Sequence, residues 1–269
     1  MPHYKHAIFV HGMQRSGNHA IINWIEKQSE YVTFLNNREP WRKGKRLIMK
    51  SDNIPKYDSQ TPISNTLIVS YEDYSFDILK RPKVKRFVQK REKRFGTWDK
   101  KTILVIKRDP FNLFASRLQA IYGNGKMQKK GREYVARKLE QKMGQASVDL
   151  WKLYAKECNP WNYLWEDEHC NVSVNYNEWV KDEDIRCLIA SLLDLEFTDE
   201  GILDVPKSGT NSSSFDGHDF HGNAQDMKVF ERWKHFQEDP LYRKVFEDQE
   251  VWDLSNKVFG EMPGTEVLR

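Results

Sequence analysis

The sequence predicts an α/β domain, with a mostly parallel central sheet and helices on both of its faces. Three observations carry that prediction. Short apolar runs alternate with stretches whose apolar residues recur every three or four positions. The first run, at Ala7 to Val10, passes through a glycine-punctuated turn directly into a helical pattern. The leading runs are apolar throughout instead of alternating, as befits strands covered on both faces.

The elements follow in order. His6 to His11, centred on Ile8, Phe9 and Val10, is the first strand and stops at glycine. Gly12 to Gly17 is a turn, and a helix begins near Asn18, with Ala20, Ile21, Trp24 and Ile25 at helical spacing. Thr66 to Tyr71 is a second strand ending at Glu72-Asp73, and Thr102 to Ile106 a third ending at Lys107-Arg108-Asp109. Asp109 and Pro110 start a helix carrying Phe111, Phe114 and Leu118, because proline at the first helical position gives up only an N–H that has no partner there. From Gly131 to Cys158, apolar residues at 135, 139, 143, 146, 150 and 153 predict one long amphipathic helix. Val172 to Tyr176 alternates as a strand, and Asp182 to Leu195 reads as a helix. Beyond Gly201 come Gly-, Ser- and Asp-rich loops, then short helical patterns around Val229–Phe236 and Leu241–Phe259. There is no internal repeat and no linker, so residues 1–269 read as one domain.

Composition excludes several classes. The 269 residues are 39% hydrophobic and 13% aromatic, too apolar for a disordered chain. No run approaches the roughly 18 apolar residues of a membrane span. The opening apolar segment is too short for a signal-peptide core. Three cysteines, at 158, 170 and 187, are too few for a disulfide framework and lack zinc-site spacing. These features predict a soluble, cytoplasmic chain, in which the glycosylation patterns at Asn171 and Asn211 are chance matches. The net charge of +4 is unevenly placed. Lys80 to Lys101 holds eleven Lys or Arg against two acids, Glu92 and Asp99, so the remaining 32 basic and 37 acidic residues carry −5. Such a run is ordinarily a solvated face; its functional alternative is a surface for polyanions.

Strand, then Gly12-Met-Gln-Arg15-Ser16-Gly17-Asn18, then helix is the layout of a phosphate cradle. Successive backbone N–H groups turn inward, and the helix N-terminus adds about half a positive charge. The Lys-Ser/Thr of nucleotide hydrolases is replaced by Asn18-His19, which removes the Mg²⁺ hydroxyl and the usual lysine clamp. The cation is instead Arg15.

Arg15-Ser16-Gly17 followed by two polar residues at the mouth of a helix resembles the 5′-phosphosulfate loop of sulfotransferases that use 3′-phosphoadenosine 5′-phosphosulfate (PAPS). Their usual loop is Pro-Lys-Ser-Gly-Thr-Thr; here Gln14, Arg15 and Asn18-His19 take the places of Pro, Lys and Thr-Thr. A second motif, Arg108-Asp-Pro-Phe-Asn-Leu-Phe-Ala-Ser116, has the family's Arg and Ser eight residues apart after a strand. The resemblance implies that Arg108 and Ser116 hold the 3′-phosphate. A looser third match, Ser212-Ser-Ser214-Phe215-Asp-Gly217 followed by Trp233-Lys-His-Phe236, implies a loop over the adenosine. The implied fold is the P-loop-like sulfotransferase fold. The implied activity is sulfuryl transfer from PAPS to a hydroxyl or amine acceptor, a carbohydrate or an anionic molecule among them, leaving adenosine 3′,5′-bisphosphate. Arg15 to His19 (Ser16, Gly17 and Asn18 included) would hold the phosphosulfate, and no metal is required. The family places its base between the two cofactor motifs, where Glu72 stands, with Asp73 beside it and His19 as the second candidate.

Asp216-Gly-His218-Asp-Phe-His221 also has metal-like spacing, but a lid or surface loop is the preferred reading. Two rivals remain. A P-loop kinase of a small molecule or nucleotide is opposed by the missing Lys-Ser/Thr. A nucleic-acid-binding protein would use Lys80–Lys101.

Overall fold

The structure is a computed structural model that describes residues 2–36, 40–43, 46–49, 65–74, 81–156, 170–205 and 213–269. Its centre is a five-stranded, all-parallel sheet of β1 (His3–Gly12), β2 (Val32–Leu35), β5 (Thr66–Glu72), β6 (Thr97–Lys107) and β7 (Cys170–Asn175). The order across the sheet is β2-β5-β1-β6-β7. Between β2 and β5 lies an antiparallel pair, β3 (Pro40–Lys43) and β4 (Arg46–Met49), with Trp41 opposite Ile48.

Alternate residues of each strand serve opposite faces. Ile8, Val10, Leu104 and Ile106 pack beneath helix α1 (Asn18–Lys27) with Ile21, Trp24 and Ile25. Ile103 and Val105 point the other way, into a second cluster that includes Phe111, Phe114 and Trp151. Ala7, Phe9, Leu67 and Val69 form a third with Tyr4 and Phe95. Burial on both sides is the physical reason the strands read as unbroken apolar runs.

The remaining helices are α2 (Pro82–Glu92), α3 (Pro110–Tyr122), α4 (Gly125–Gln128), α5 (Arg132–Met143), α6 (Gln145–Lys156), α7 (Tyr176–Lys181), α8 (Glu183–Leu192), α9 (Pro240–Arg243) and α10 (Gln249–Phe259). Asp109 caps α3 as expected, accepting from Asn112 N at 2.7 Å. The expected single helix from Gly131 to Cys158 is instead two, α5 and α6, parted at Gly144 (φ −69°, ψ 172°). Any side chain at Gly144 would clash with Glu140, because a Cβ there would lie 2.5 Å from its carbonyl oxygen. The apolar spacing carries across the break because Leu139, Met143, Leu150 and Leu153 all pack on the same cluster, although Ala146 between them is exposed. Cys158 lies outside the described residues. Val229–Phe236 narrows to a 3-10 turn at Arg232–Phe236, and Leu241–Phe259 divides at Asp248 into short pieces and α10. Strand β2 was not expected: four residues are too few to show a period.

From β1 the chain moves to β2 on one side of the sheet, whereas the later crossover from β5 to β6 passes to the other. The strand order therefore reverses around β1, and a crevice opens outside the carboxyl ends of β1, β5 and β6, the ordinary place for a ligand in such sheets.

Candidate active site

The turn after β1 is built for close packing. Arg15 and Gly17 both have positive φ (74° and 94°), so the chain reverses twice within three residues. Ser16 N donates to Met13 O at 3.1 Å. Ser16 Oγ lies 2.7 Å from both Met13 O and Asn18 Oδ1. Glycine at 12 is required by this tuck, since a Cβ there would sit 2.1 Å from Asn18 Oδ1. Glycine at 17 is required twice, by its φ and by the Tyr176 ring, 2.2 Å from where its Cβ would be. Gly17 caps α1 with no side-chain bond, and the first turn holds no acid. The leading N–H groups are thus left to an anion.

Asp73, directly after β5, locks this turn in place. Its backbone N–H donates to Gly12 O at 3.1 Å, and its carboxylate accepts from Gln14 N at 3.0 Å. Arg117 of α3 grips the carboxylate at 2.8 and 3.2 Å, and Lys142 of α5 both pairs with it and donates to Gln14 Oε1 at 2.7 Å. Burial alone would raise the carboxyl pKa, but Arg117, Lys142 and the Gln14 N–H together hold it at about 2. An acid so held does not take a proton at neutral pH. Asp73 is therefore a brace for the loop, which sequence position alone did not separate from Glu72.

Glu72, Arg15 and His19 are brought together. Glu72 Oε1 lies 3.6 Å from His19 Nε2 and accepts from Asn18 Nδ2 at 3.2 Å. The His19 imidazole packs edge-on to Phe34, ring centres 6.1 Å apart. Burial lowers the His19 pKa; Glu72 works against that, and Arg15 reinforces it. Arg15 is itself lowered, mainly by burial, with Glu72 opposing. The cluster thus contains a carboxylate, a neutral imidazole and a guanidinium at the carboxyl ends of β1 and β5. His11, which sequence treated as the end of the strand, is fully buried and stacked on Tyr71 at 4.7 Å.

The second half of the site forms at the end of β6. Arg108 Nη1 donates to Arg15 O at 2.8 Å and Nη2 to Val229 O at 3.1 Å, while its guanidinium lies 4.8 Å over the Tyr176 ring. Ser116 is joined to Arg232, whose Nη1 donates to its Oγ at 3.2 Å. Arg232 also reaches Ser213 Oγ at 3.0 Å and Asp216 Oδ2 at 3.3 Å. Burial lowers the Arg232 pKa to about 10, and the like charge of Arg108 adds to the effect. The structure thus assembles two buried arginines where sequence reading had named one. Arg232 was legible only as the residue before the Trp233-Lys234 signature, with nothing local to mark it as inward.

The late loop reaches the same place. Ser213 and Gly217 exchange backbone bonds of 3.0 and 3.2 Å, closing a tight turn with Gly217 at φ 61°. Phe215 lies 5.0 Å from His235 and 5.2 Å beneath the Arg232 guanidinium. Ser214 Oγ and Arg108 Nε are buried with no hydrogen-bond partner among the described residues. Ser212 lies outside those residues, as does Asn211. His218 and His221 stack on each other at 4.5 Å, and His221 turns to Asp204 and Val205.

The sequence matches no protein-family model and no curated protein. Among solved structures it is similar to a mouse sulfotransferase, SULT7A1, complexed with PAP. The two are 15% identical with a TM-score of 0.48, over 99% of this chain and 88% of the mouse chain.

Proposed function

We propose that the chain is a PAPS-dependent sulfotransferase. The carrying observation is that buried Arg232 bonds Ser116 and lies close enough to buried Arg108 for their like charges to interact, while Arg108 Nε has no hydrogen-bond partner among the described residues. Two adjacent buried guanidiniums repel each other, and their cost is recovered by an anion between them. The opposite end of the site presents the open N-terminus of α1 and Arg15 to a second anion. Two anion sites either side of Gly17 suit a nucleotide phosphorylated at both 3′ and 5′ positions, so the residues present fit PAPS.

Bound there, PAPS supplies an activated sulfuryl group on a phosphate leaving group. Arg15 and the first N–H groups of α1 stabilise charge on the departing phosphate. Glu72 accepts the proton of the acceptor hydroxyl, or His19 does, since burial keeps its imidazole neutral and able to accept. A kinase reading fares worse: the positions of the hydrolase Lys-Ser/Thr are occupied by Asn18, folded onto Met13 O and Glu72, and by His19.

Thermal unfolding tests the reading. Adenosine 3′,5′-bisphosphate should raise the melting temperature well beyond AMP, and Mg²⁺-ATP should do little. Arg108→Ala should abolish the preference for the bisphosphate, worth roughly 1.5–3 kcal/mol for a charged bond to phosphate. Equal shifts with the bisphosphate and AMP in the unaltered protein would sink the assignment.

A further inference from the structure

The positive run of the sequence divides in the structure. Lys101 turns inward, its Nζ 3.4 Å from Glu92 Oε2 and 4.2 Å over the Phe9 ring, and Lys100 pairs with Asp194. The rest lies in helix α2 and the turn that follows it. Lys80 lies outside the described residues. Val84 and Val88 bury one side of α2 in the cluster that holds Met13 and Tyr74, and Glu92 is buried as well. Lys83, Arg86, Lys90 and Arg94 follow one another at steps of three, four and four residues, all exposed. Lys83, Arg86 and Lys90 form a single stripe of neighbours about 5–6 Å apart on α2, and Lys93 and Arg94 carry the positive charge on in the turn just past its end at Glu92. None of the five has an acidic partner among the described residues.

The topology aims this stripe. The chain leaves β5 at the carboxyl edge, where Glu72 lies, and re-enters the sheet at the amino end of parallel β6. Helix α2 therefore starts at the site edge and runs away from it for about 16 Å, at 1.5 Å per residue. That span is longer than a small acceptor needs. The stripe also lacks what other polymers require. Nucleic acid without base pairing is held on stacked aromatic platforms, and the aromatic residue of α2, Phe87, packs into the core. Peptides that bind through sheet edges or apolar pockets find neither on an exposed row of cations, and an acidic peptide, which a row of cations could hold, is the rival that polyglutamate tests below.

We propose that α2 is the docking track for an acidic polysaccharide acceptor, whose negative groups follow Lys83–Arg86–Lys90–Arg94 while a hydroxyl reaches Glu72. The proposal rests on the sulfotransferase reading, and its test separates the two. Polygalacturonate is titrated against the full chain, with polyglutamate and single-stranded DNA as comparison polymers. Polygalacturonate should bind tightest, and binding should weaken steeply with added salt. A Gln triple at Lys83, Arg86 and Lys90 should bind it roughly 10²-fold more weakly, from about a factor of five per removed charge near an anionic surface. The triple variant Lys83→Glu/Arg86→Glu/Lys90→Glu, which adds three acids, should lose still more. Both variants should keep the full melting shift from adenosine 3′,5′-bisphosphate, because the three side chains lie outside the cofactor cradle. Unchanged polygalacturonate affinity in both triples overturns the track, as does equal or tighter binding of polyglutamate or DNA. Loss of the bisphosphate shift in the unaltered protein, with polygalacturonate still bound through α2, overturns the sulfotransferase reading instead.

Discussion

At Glu72 the chemistry depends on a single proton acceptor among charged neighbours. Its carboxylate is held by Asn18 Nδ2 at 3.2 Å and faces His19 at 3.6 Å, so its orientation survives amide replacement. Glu72→Gln should leave bisphosphate affinity nearly intact and cut single-turnover rates at saturating PAPS by roughly 10²–10⁴-fold. A near-normal rate would move the role to His19. Residue identity was readable from sequence wherever it belonged to a short motif, as with Arg15, Ser16, Gly17 and Arg108. It was unreadable where the role came from distance along the chain. Nothing near Asp73 announces that Arg117 and Lys142 will close on it, and nothing near Arg232 announces Ser116, 116 residues away.

Loop and helices stand or fall together at the element scale. The turn after β1, the middle of α3 and the end of α5 share one carboxylate, Asp73, largely withdrawn from water. Asp73→Asn keeps the shape but leaves Arg117 and Lys142 short of a counter-charge. Urea unfolding should show a loss of about 3–5 kcal/mol, the cost of breaking a buried pair. Bisphosphate affinity should fall with it, because Arg117 and Lys142 no longer anchor the turn through a full carboxylate. A loss under 1 kcal/mol would show that the brace is redundant. Most elements were legible because burial on both faces writes itself as apolar runs and helical spacing. Gly144 was misread because packing against one common cluster preserved the spacing across a break. Strand β2 was missed because its place is fixed by pairing with β5, a contact outside its own four residues.

The molecule as a whole holds several histidines away from water, and this sets its response to acid. His6 is lowered to about 4, chiefly by burial and next by Lys100, while Asp194 opposes; its Nε2 lies 2.8 Å from Thr102 Oγ1. Burial also lowers His11 and His19. A depressed histidine binds its proton more readily in the unfolded chain. Its contribution is therefore complete above about pH 6.5 and is lost as pH falls toward the folded value. His6 alone should cost about 2 kcal/mol between pH 7.5 and pH 5. Urea midpoints across that range should fall steeply, and His6→Asn should flatten the fall. A midpoint that stays level down to pH 5 would contradict the burial assigned to these rings. Asp73 adds a later loss, below about pH 4, as its carboxylate is forced to protonate.

The Arg108 side chain ties together segments far apart in sequence, holding the Arg15 carbonyl with one nitrogen and the Val229 carbonyl with another. Energies measured at either end of the crevice are consequently not independent quantities. A fragment that engages only the α1 end still senses whether Arg108 is in place, and one at the far end reports in part on the shape of the loop. Affinities of such fragments should not sum to that of the linked molecule, and double-mutant cycles between Arg108 and the loop should not close at zero. For the same reason the loss of one ligand's affinity on changing Arg108 cannot be ascribed to a single missing contact. Only the difference between two ligands alike in every group but one isolates what that group meets.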